Sequence, residues 1–147
     1  MFLRAILAAV LGTVAMTLSS MTEMQWRERP ASSVPARAAL RILSPFWKPQ
    51  LKERGMQILG NWTHWLYGTW WGVVFWGLIE LSGLNLAATS VAFFLIVWLT
   101  EQIELPLLGL TPPSWKWGLE ENLIDVWHHV VYVAGTVVGW VLIGLVA

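Results

Sequence analysis

Four apolar stretches constrain this chain more than any other feature. They cover residues 2–22, 61–81, 84–104 and 121–147, and each has about the 20 residues that a helix needs to cross a hydrocarbon core about 30 Å thick. Only 12% of the 147 residues are charged, whereas a soluble domain has about 25%. Backbone groups in lipid must bond within their own segment, and the apolar runs are continuous rather than alternating. The sequence therefore predicts one all-α domain, a transmembrane four-helix bundle.

The basic residues predict how this bundle is oriented. Most of the nine Lys and Arg residues lie in the first connection, residues 23–60. Cytoplasmic connections carry an excess of Lys and Arg, so we expect this connection in the cytoplasm and both termini outside. Lys116 in the third connection agrees with this topology, and Arg4 near the amino terminus argues against it.

The connections themselves predict short structures at the membrane surface. The first alternates basic and apolar residues and is interrupted at Ser44-Pro45 and Pro49, which favours two short interfacial helices. A segment packed over the cytoplasmic ends of the spans is the alternative, and both can hold. The second is tight, at Ser82-Gly83, with Asn85 as a helix cap, so the second and third spans form an antiparallel hairpin. The third, after Ser114, favours another short interfacial helix carrying Trp115 and Trp117.

Aromatic and small residues add two weaker patterns. The chain has 12 tryptophans, many of them near the predicted cytoplasmic boundary, as in the aromatic belts of membrane proteins. His-x-x-Tyr and Gly-Thr-x-x-Gly elements occur in residues 64–72 and again in residues 129–139. They indicate either an internal repeat or the small residues by which membrane helices pack.

Polar side chains gather at one end of the predicted bundle. The fourth span places Asp125, His128, His129 and Tyr132 on one helical face. Charge facing lipid is costly, so we expect this face and its counterparts on the other spans to point inward. The predicted cluster at the cytoplasmic end consists of Glu23, His64, Tyr67, Glu101, Glu104, Asp125, His128, His129 and Tyr132.

The cluster supports several functions. Histidines and acids can simply fix helix register, so a scaffold or partner-binding protein without enzymatic activity is the first expectation. Intramembrane acids and histidines also form pathways for protons or small solutes. A haem b held by His64 and either His128 or His129 is a remoter alternative.

A divalent metal is a further alternative. It would be a zinc or di-iron-like centre that acts on a lipid or acyl substrate. The candidate ligands are His64, Glu101, Glu104, Asp125 and His128.

The sequence lacks the residues and motifs of several other classes of protein. The chain has no cysteine, which excludes disulfides and thiolate metal sites. Neither nucleic-acid signatures nor phosphate-binding loops occur, and no catalytic residue can be assigned. The expected partners are the lipid bilayer and either a second copy of the chain or another membrane protein.

Several motifs resemble an uncharacterised group of small bacterial integral membrane proteins with four spans. The resemblance rests on residues 12–17, 23–24, 29–35, 64–68, 112–118 and 125–129. It implies a location in the bacterial plasma membrane and carries no assigned activity or site.

Overall fold

A computed structural model describes residues 1–46 and 49–146 as an arrangement of helices. Within these ranges there are five α-helices and no strand, which confirms the all-α class. They are α1 (Phe2–Trp26), α2 (Val34–Leu43), α3 (Glu53–Leu81), α4 (Leu86–Leu107) and α5 (Leu119–Val146), with a 3₁₀ turn at Ser114–Lys116.

Three of these helices, α1, α4 and α5, are long and apolar enough to cross a membrane. The 29-residue helix α3 is not among them. Polar residues occupy its first turns, and the tryptophans that follow rank low on the hydropathy scale. The fourth span therefore stays a prediction.

The connections correct the prediction of two short helices in residues 23–60. Only α2 forms there, and the next helical residues are the first turns of α3, which begins at Glu53. No proline follows Pro49 in this segment, so the helix runs unbroken into the apolar stretch. Trp47 and Lys48, which belonged to the predicted second helix, lie outside the described residues. In the third connection a single 3₁₀ turn carries Trp115, and Trp117 only caps it.

The helix ends between α3 and α5 follow local chemistry. The Asn85 side chain accepts a hydrogen bond from the amide of Ala88 at 2.9 Å, which confirms the predicted cap of α4. At the other end, Gly109 has a φ of 66°. Its amide donates to the carbonyl of Pro106, and the amide of Leu110 donates to that of Leu105. This Schellman motif ends α4 one turn later than the sequence predicted.

Helix α1 lies between α3 and α5 and runs antiparallel to both. On one flank, small residues bring α1 close to α5: a methyl group on Gly135 would lie 2.8 Å from the Ala15 Cβ atom. On the other flank, a methyl group on Gly72 would lie 2.8 Å from the carbonyl oxygen of Ala5. Such close approach gains van der Waals contact in lipid, where no hydrophobic force joins the helices.

This packing explains the two Gly-Thr-x-x-Gly elements. Gly68 and Gly72 of the first face α1, and so do Gly135 and Gly139 of the second. Thr136 is fully buried beside α1. Both elements thus pack against the same central helix, as the small residues of membrane helices do, and the internal repeat stays a prediction.

At the end of the bundle opposite α2, Arg4 is held by α5. Its Nε and Nη2 atoms donate to the carbonyl oxygen of Trp140 at 2.7 and 2.5 Å, and its guanidinium lies 4.0 Å from the Trp140 ring centroid. A side chain at Gly144 would overlap this guanidinium. The arginine that argued against the predicted topology is therefore engaged inside the bundle.

An aromatic core joins α4 to the other helices. Phe93 of α4 lies 5.0 Å from Phe75 of α3 and 6.0 Å from Tyr132 of α5, measured between ring centroids. Phe75 and Phe93 are fully buried. Phe75 and Phe93 lie between the end of the bundle that contains Arg4 and the polar residues at the end where α2 lies.

The Gly12 contact yields a stability prediction. A methyl group on Gly12 would overlap the Thr136 side chain and lie 2.6 Å from the carbonyl oxygen of Tyr132. We expect Gly12→Ala to lower the free energy of unfolding by about 1–3 kcal/mol, since α1 and α5 must separate. Unfolding in mixed micelles, followed by circular dichroism, measures this change.

Gly77→Ala is the matched control, because nothing lies within 4 Å of a methyl group there. Alanine favours the helix by about 0.5–1 kcal/mol over glycine, so this variant should be as stable as the wild type or more so. Equal stability of the two variants would contradict the assigned α1–α5 contact.

Candidate functional site

A cavity of about 260 Å³ lies at the end of the bundle where α2 packs. All five α-helices contribute to its walls. Most of the predicted polar cluster lines it, namely His64, Tyr67, Glu101, Glu104, His129 and Tyr132. The rest of the wall is largely apolar, including Met16, Ile42, Val97 and Leu105. The polar residues expected to point inward therefore share one partly open cavity.

One short polar contact in the wall joins α4 to α5. His129 Nε2 lies 2.7 Å from Glu101 Oε2, and the His129 side chain is 4% exposed. His129 Nδ1 lies 2.8 Å from the carbonyl oxygen of Asp125, which fixes the ring. Asp125 in turn accepts hydrogen bonds from Trp98 at 2.8 Å and Gln102 at 2.9 Å. A histidine and two acids thus form one hydrogen-bonded unit.

Two tyrosines connect α3 to its neighbours across the cavity. The Tyr67 hydroxyl donates to Glu104 Oε2 at 2.8 Å, and this pair joins α3 to α4. The Tyr132 hydroxyl donates to the carbonyl oxygen of Gly68 at 2.7 Å, which joins α5 to α3. Both hydroxyl hydrogens are used within the protein, so neither is free for a ligand.

His64 lines the cavity and is bonded to Thr17 of α1. The Thr17 hydroxyl donates its single hydrogen to the carbonyl of Thr13 at 2.7 Å, so it accepts from His64 Nε2 at 2.9 Å. A neutral imidazole that donates through Nε2 has a bare Nδ1. His64 thus combines a fixed ring with an unprotonated nitrogen.

Glu23 and His128 form a second group, apart from the cavity. His128 Nδ1 lies 3.0 Å from Ser19 Oγ, and its Nε2 lies 3.9 Å from Glu23 Oε2. Glu23 pairs with Arg27 and Arg29, which follow the end of α1. Sequence reasoning placed the two histidines together, but adjacent residues on one helix diverge by about 100°. The predicted cluster therefore divides between the cavity and a separate group of residues near the end of α1.

The second group continues to the start of α5. Arg27 Nη2 lies 2.7 Å from Glu121 Oε1, so ion pairs tie the end of α1 to α5. The hydrogen bonds to Glu121 and Glu23 raise the pKa of the Arg27 guanidinium above its ordinary value, and it stays charged at every physiological pH.

Sequence reasoning placed Trp71 on the inward face of the second span but did not assign the contribution of α2 to the cavity. Helix α2 supplies one wall through Ala38, Ala39 and Ile42, while Arg37 and Arg41 on its other side are exposed. Trp71 also lines the cavity and is 6% exposed, with no hydrogen-bond partner for Nε1 among the described residues. The amphipathic pattern of α2 indicated a buried face, and packing over the ends of the spans was one expectation for this connection, but nothing in the sequence indicated a cavity beneath it.

The geometry favours a metal-ligand set that differs from the predicted one. Ligand atoms of Glu101, Asp125 and His129 all lie within 4.8 Å of one another. His129 replaces His128 in this group, while His64 bonds to Thr17 and Glu104 bonds to Tyr67. A divalent metal and haem b both stay predictions.

The chain was compared with known proteins in three ways. No family model matches it, and neither the curated proteins nor the solved structures yield a match. The resemblance to small bacterial four-span proteins therefore stays a prediction from the sequence.

Replacing Glu101 tests whether the α4–α5 unit holds the site together. Glu101→Leu leaves the buried His129 Nε2 without its partner, so we expect the free energy of unfolding to fall by about 1–3 kcal/mol. Glu101→Gln, which retains an acceptor, should cost less. Denaturant titration in mixed micelles gives both values.

Glu80→Leu serves as the control, because Glu80 is exposed at the far end of α3. Exposed substitutions change stability by at most about 0.5 kcal/mol. A Glu101→Leu protein as stable as the Glu80→Leu protein would mean that the contact contributes nothing.

Proposed function

We propose that this chain is a four-span protein of the bacterial plasma membrane. The exposed surface of α3 supports a fourth span, since Ile58, Trp62, Leu66 and Trp70 form an apolar stripe one helical turn apart, each more than half exposed. Water disfavours such a stripe, whereas lipid covers it. Helix α3 also runs beside α1 and turns tightly into α4, so it shares their depth in the bilayer.

The proposed orientation places residues 23–60 in the cytoplasm and both termini outside. The exposed Arg37 and Arg41 of α2 would then meet anionic headgroups of the inner leaflet. Arg4 argues against this orientation, because a basic residue near the amino terminus favours the cytoplasmic side. Its contact with Trp140 weakens that objection, since a guanidinium satisfied by α5 has less need of the cytoplasmic surface.

The function that the geometry supports best is binding of a small amphipathic molecule. The cavity carries this proposal: apolar side chains form most of its wall, and a few fixed polar groups converge on it. Its polar groups are paired across helices, which suits a preformed site. The partner expected from the sequence is therefore proposed to be a small molecule held inside the bundle.

A divalent metal is the second candidate occupant. It is favoured by the proximity of Glu101, Asp125 and His129, whose ligand atoms lie within 4.8 Å of one another. A carboxylate and imidazole set of this kind binds zinc in other proteins. The mass of whatever the protein retains distinguishes an ion from an organic molecule.

Filling the cavity tests the proposed function. Native mass spectrometry of the protein, released from nanodiscs, should show an organic adduct. Ala39→Trp places an indole in the cavity wall and should abolish the adduct while the helix content is retained. Ala87→Trp, at an exposed position of α4, should keep it. The proposal fails if the wild type carries no adduct, or if Ala39→Trp retains it.

The topology can be tested separately by labelling single introduced cysteines, because the chain has no cysteine of its own. Single substitutions Ser32→Cys and Ser82→Cys lie in exposed connections at opposite ends of the bundle. In intact cells an impermeant maleimide should label Ser82→Cys and leave Ser32→Cys unlabelled until the cells are lysed. The reverse labelling pattern would show that the orientation is opposite to the proposed one. Labelling of both cysteines in intact cells would contradict a span between the two positions.

A further inference from the structure

The hydrogen-bonding groups around the cavity indicate the chemistry of its ligand. Five hydroxyl groups line the wall, and each has only one hydrogen to donate. Thr13 donates to the carbonyl of Ala9 and Thr63 to that of Leu59, both at 2.8 Å. Tyr67 and Tyr132 donate to Glu104 and to the Gly68 carbonyl. These four hydroxyls therefore offer a ligand acceptors and no donors. The fifth, that of Ser32 before α2, accepts from the Val34 amide at 3.2 Å and donates to no acceptor within the described residues.

The same wall has more hydrogen-bond acceptors than donors available to a ligand. Glu101 and Glu104 each use one carboxylate oxygen in the contacts described above, and neither second oxygen has a hydrogen bond within the described ranges. His64 Nδ1 adds a third acceptor. No Lys or Arg is found among the described lining residues. A head that donates several hydrogen bonds and carries positive charge complements this wall, and an ammonium has three donors and no acceptor.

Aromatic rings support a cation at the same place. Tyr67, Trp71 and Tyr132 line the cavity, and the faces of such rings attract ammonium groups. Trp71 Nε1, in contrast, offers a ligand a donor. It is buried and has no hydrogen-bond partner in the part of the chain that the structure describes. A hydroxyl beside the amine would accept from it.

We propose that the cavity takes a single-chain amphiphile whose head is a protonated amine with a neighbouring hydroxyl. Its ammonium bonds to Glu101, Glu104 and His64, its hydroxyl accepts from Trp71, and its chain lies against the apolar wall. The inference rests on the proposed function, since it names the class of molecule bound in the same cavity.

Water-soluble six-carbon probes test the head group. Isothermal titration of the protein in zwitterionic nanodiscs, with empty nanodiscs as the blank, compares hexylamine, 2-amino-1-hexanol, 1-hexanol and hexanoate. We expect the amino alcohol to bind most tightly, hexylamine next, 1-hexanol about tenfold more weakly than hexylamine, and hexanoate not at all. Binding of hexanoate or 1-hexanol as tight as that of hexylamine would overturn the proposal.

Variants assign the contacts. Glu104→Gln keeps an acceptor for Tyr67 and should weaken hexylamine about tenfold while leaving 1-hexanol unchanged. Glu80→Gln is the control at the far end and should change neither. Trp71→Phe should lower the affinity for 2-amino-1-hexanol to that for hexylamine. An unchanged hexylamine affinity in both Glu104→Gln and Glu101→Gln would exclude the carboxylates as the cation site.

The two proposals fail in different ways. An organic adduct that disappears in Ala39→Trp, together with no binding of either amine, would overturn the amine head and leave the binding function standing. No adduct and no binding of any probe would remove both.

Discussion

The close contact of α1 with its two neighbours is the constraint on which the rest of the structure depends. Lipid offers no hydrophobic force to bring helices together, so they associate where their backbones can approach. Gly12 of α1 and Gly135 of α5 allow this on one side, as Gly68 and Gly72 of α3 do on the other. The approach fixes the depth of each helix relative to α1, and with it the level at which polar side chains meet.

Polar contacts follow from that register. At one end the Arg4 guanidinium reaches a carbonyl of α5, and at the other Arg27 reaches Glu121 at the start of the same helix. Between them Thr17 meets His64. Each contact joins antiparallel helices at matching depth, so a shift of one turn along α1 would separate all of them. Packing of small residues thus determines which polar groups pair.

Helix α4 is attached differently, and the cavity results from this. It contacts α3 and α5 through Phe93 on one side of the cavity and through the Glu101–His129 and Glu104–Tyr67 pairs on the other. Large rings and long polar side chains hold it farther from its neighbours than glycines hold α1. The space left between these contacts is closed by the small apolar residues of α2. A binding site therefore forms where close packing gives way to longer contacts.

By itself, the sequence determined the helical class, the three most apolar helices, the cap at Asn85 and the inward face of α5, because these follow from composition and from periodicity along one helix. It also indicated the residues of the polar cluster. Only the tertiary structure decided that His129 faces the cavity while His128 pairs toward Glu23, that α2 completes the wall, and that α3 begins at Glu53. These outcomes depend on the rotation of each helix about its axis and on its distance from its neighbours, and both are set by contacts between residues far apart in the chain.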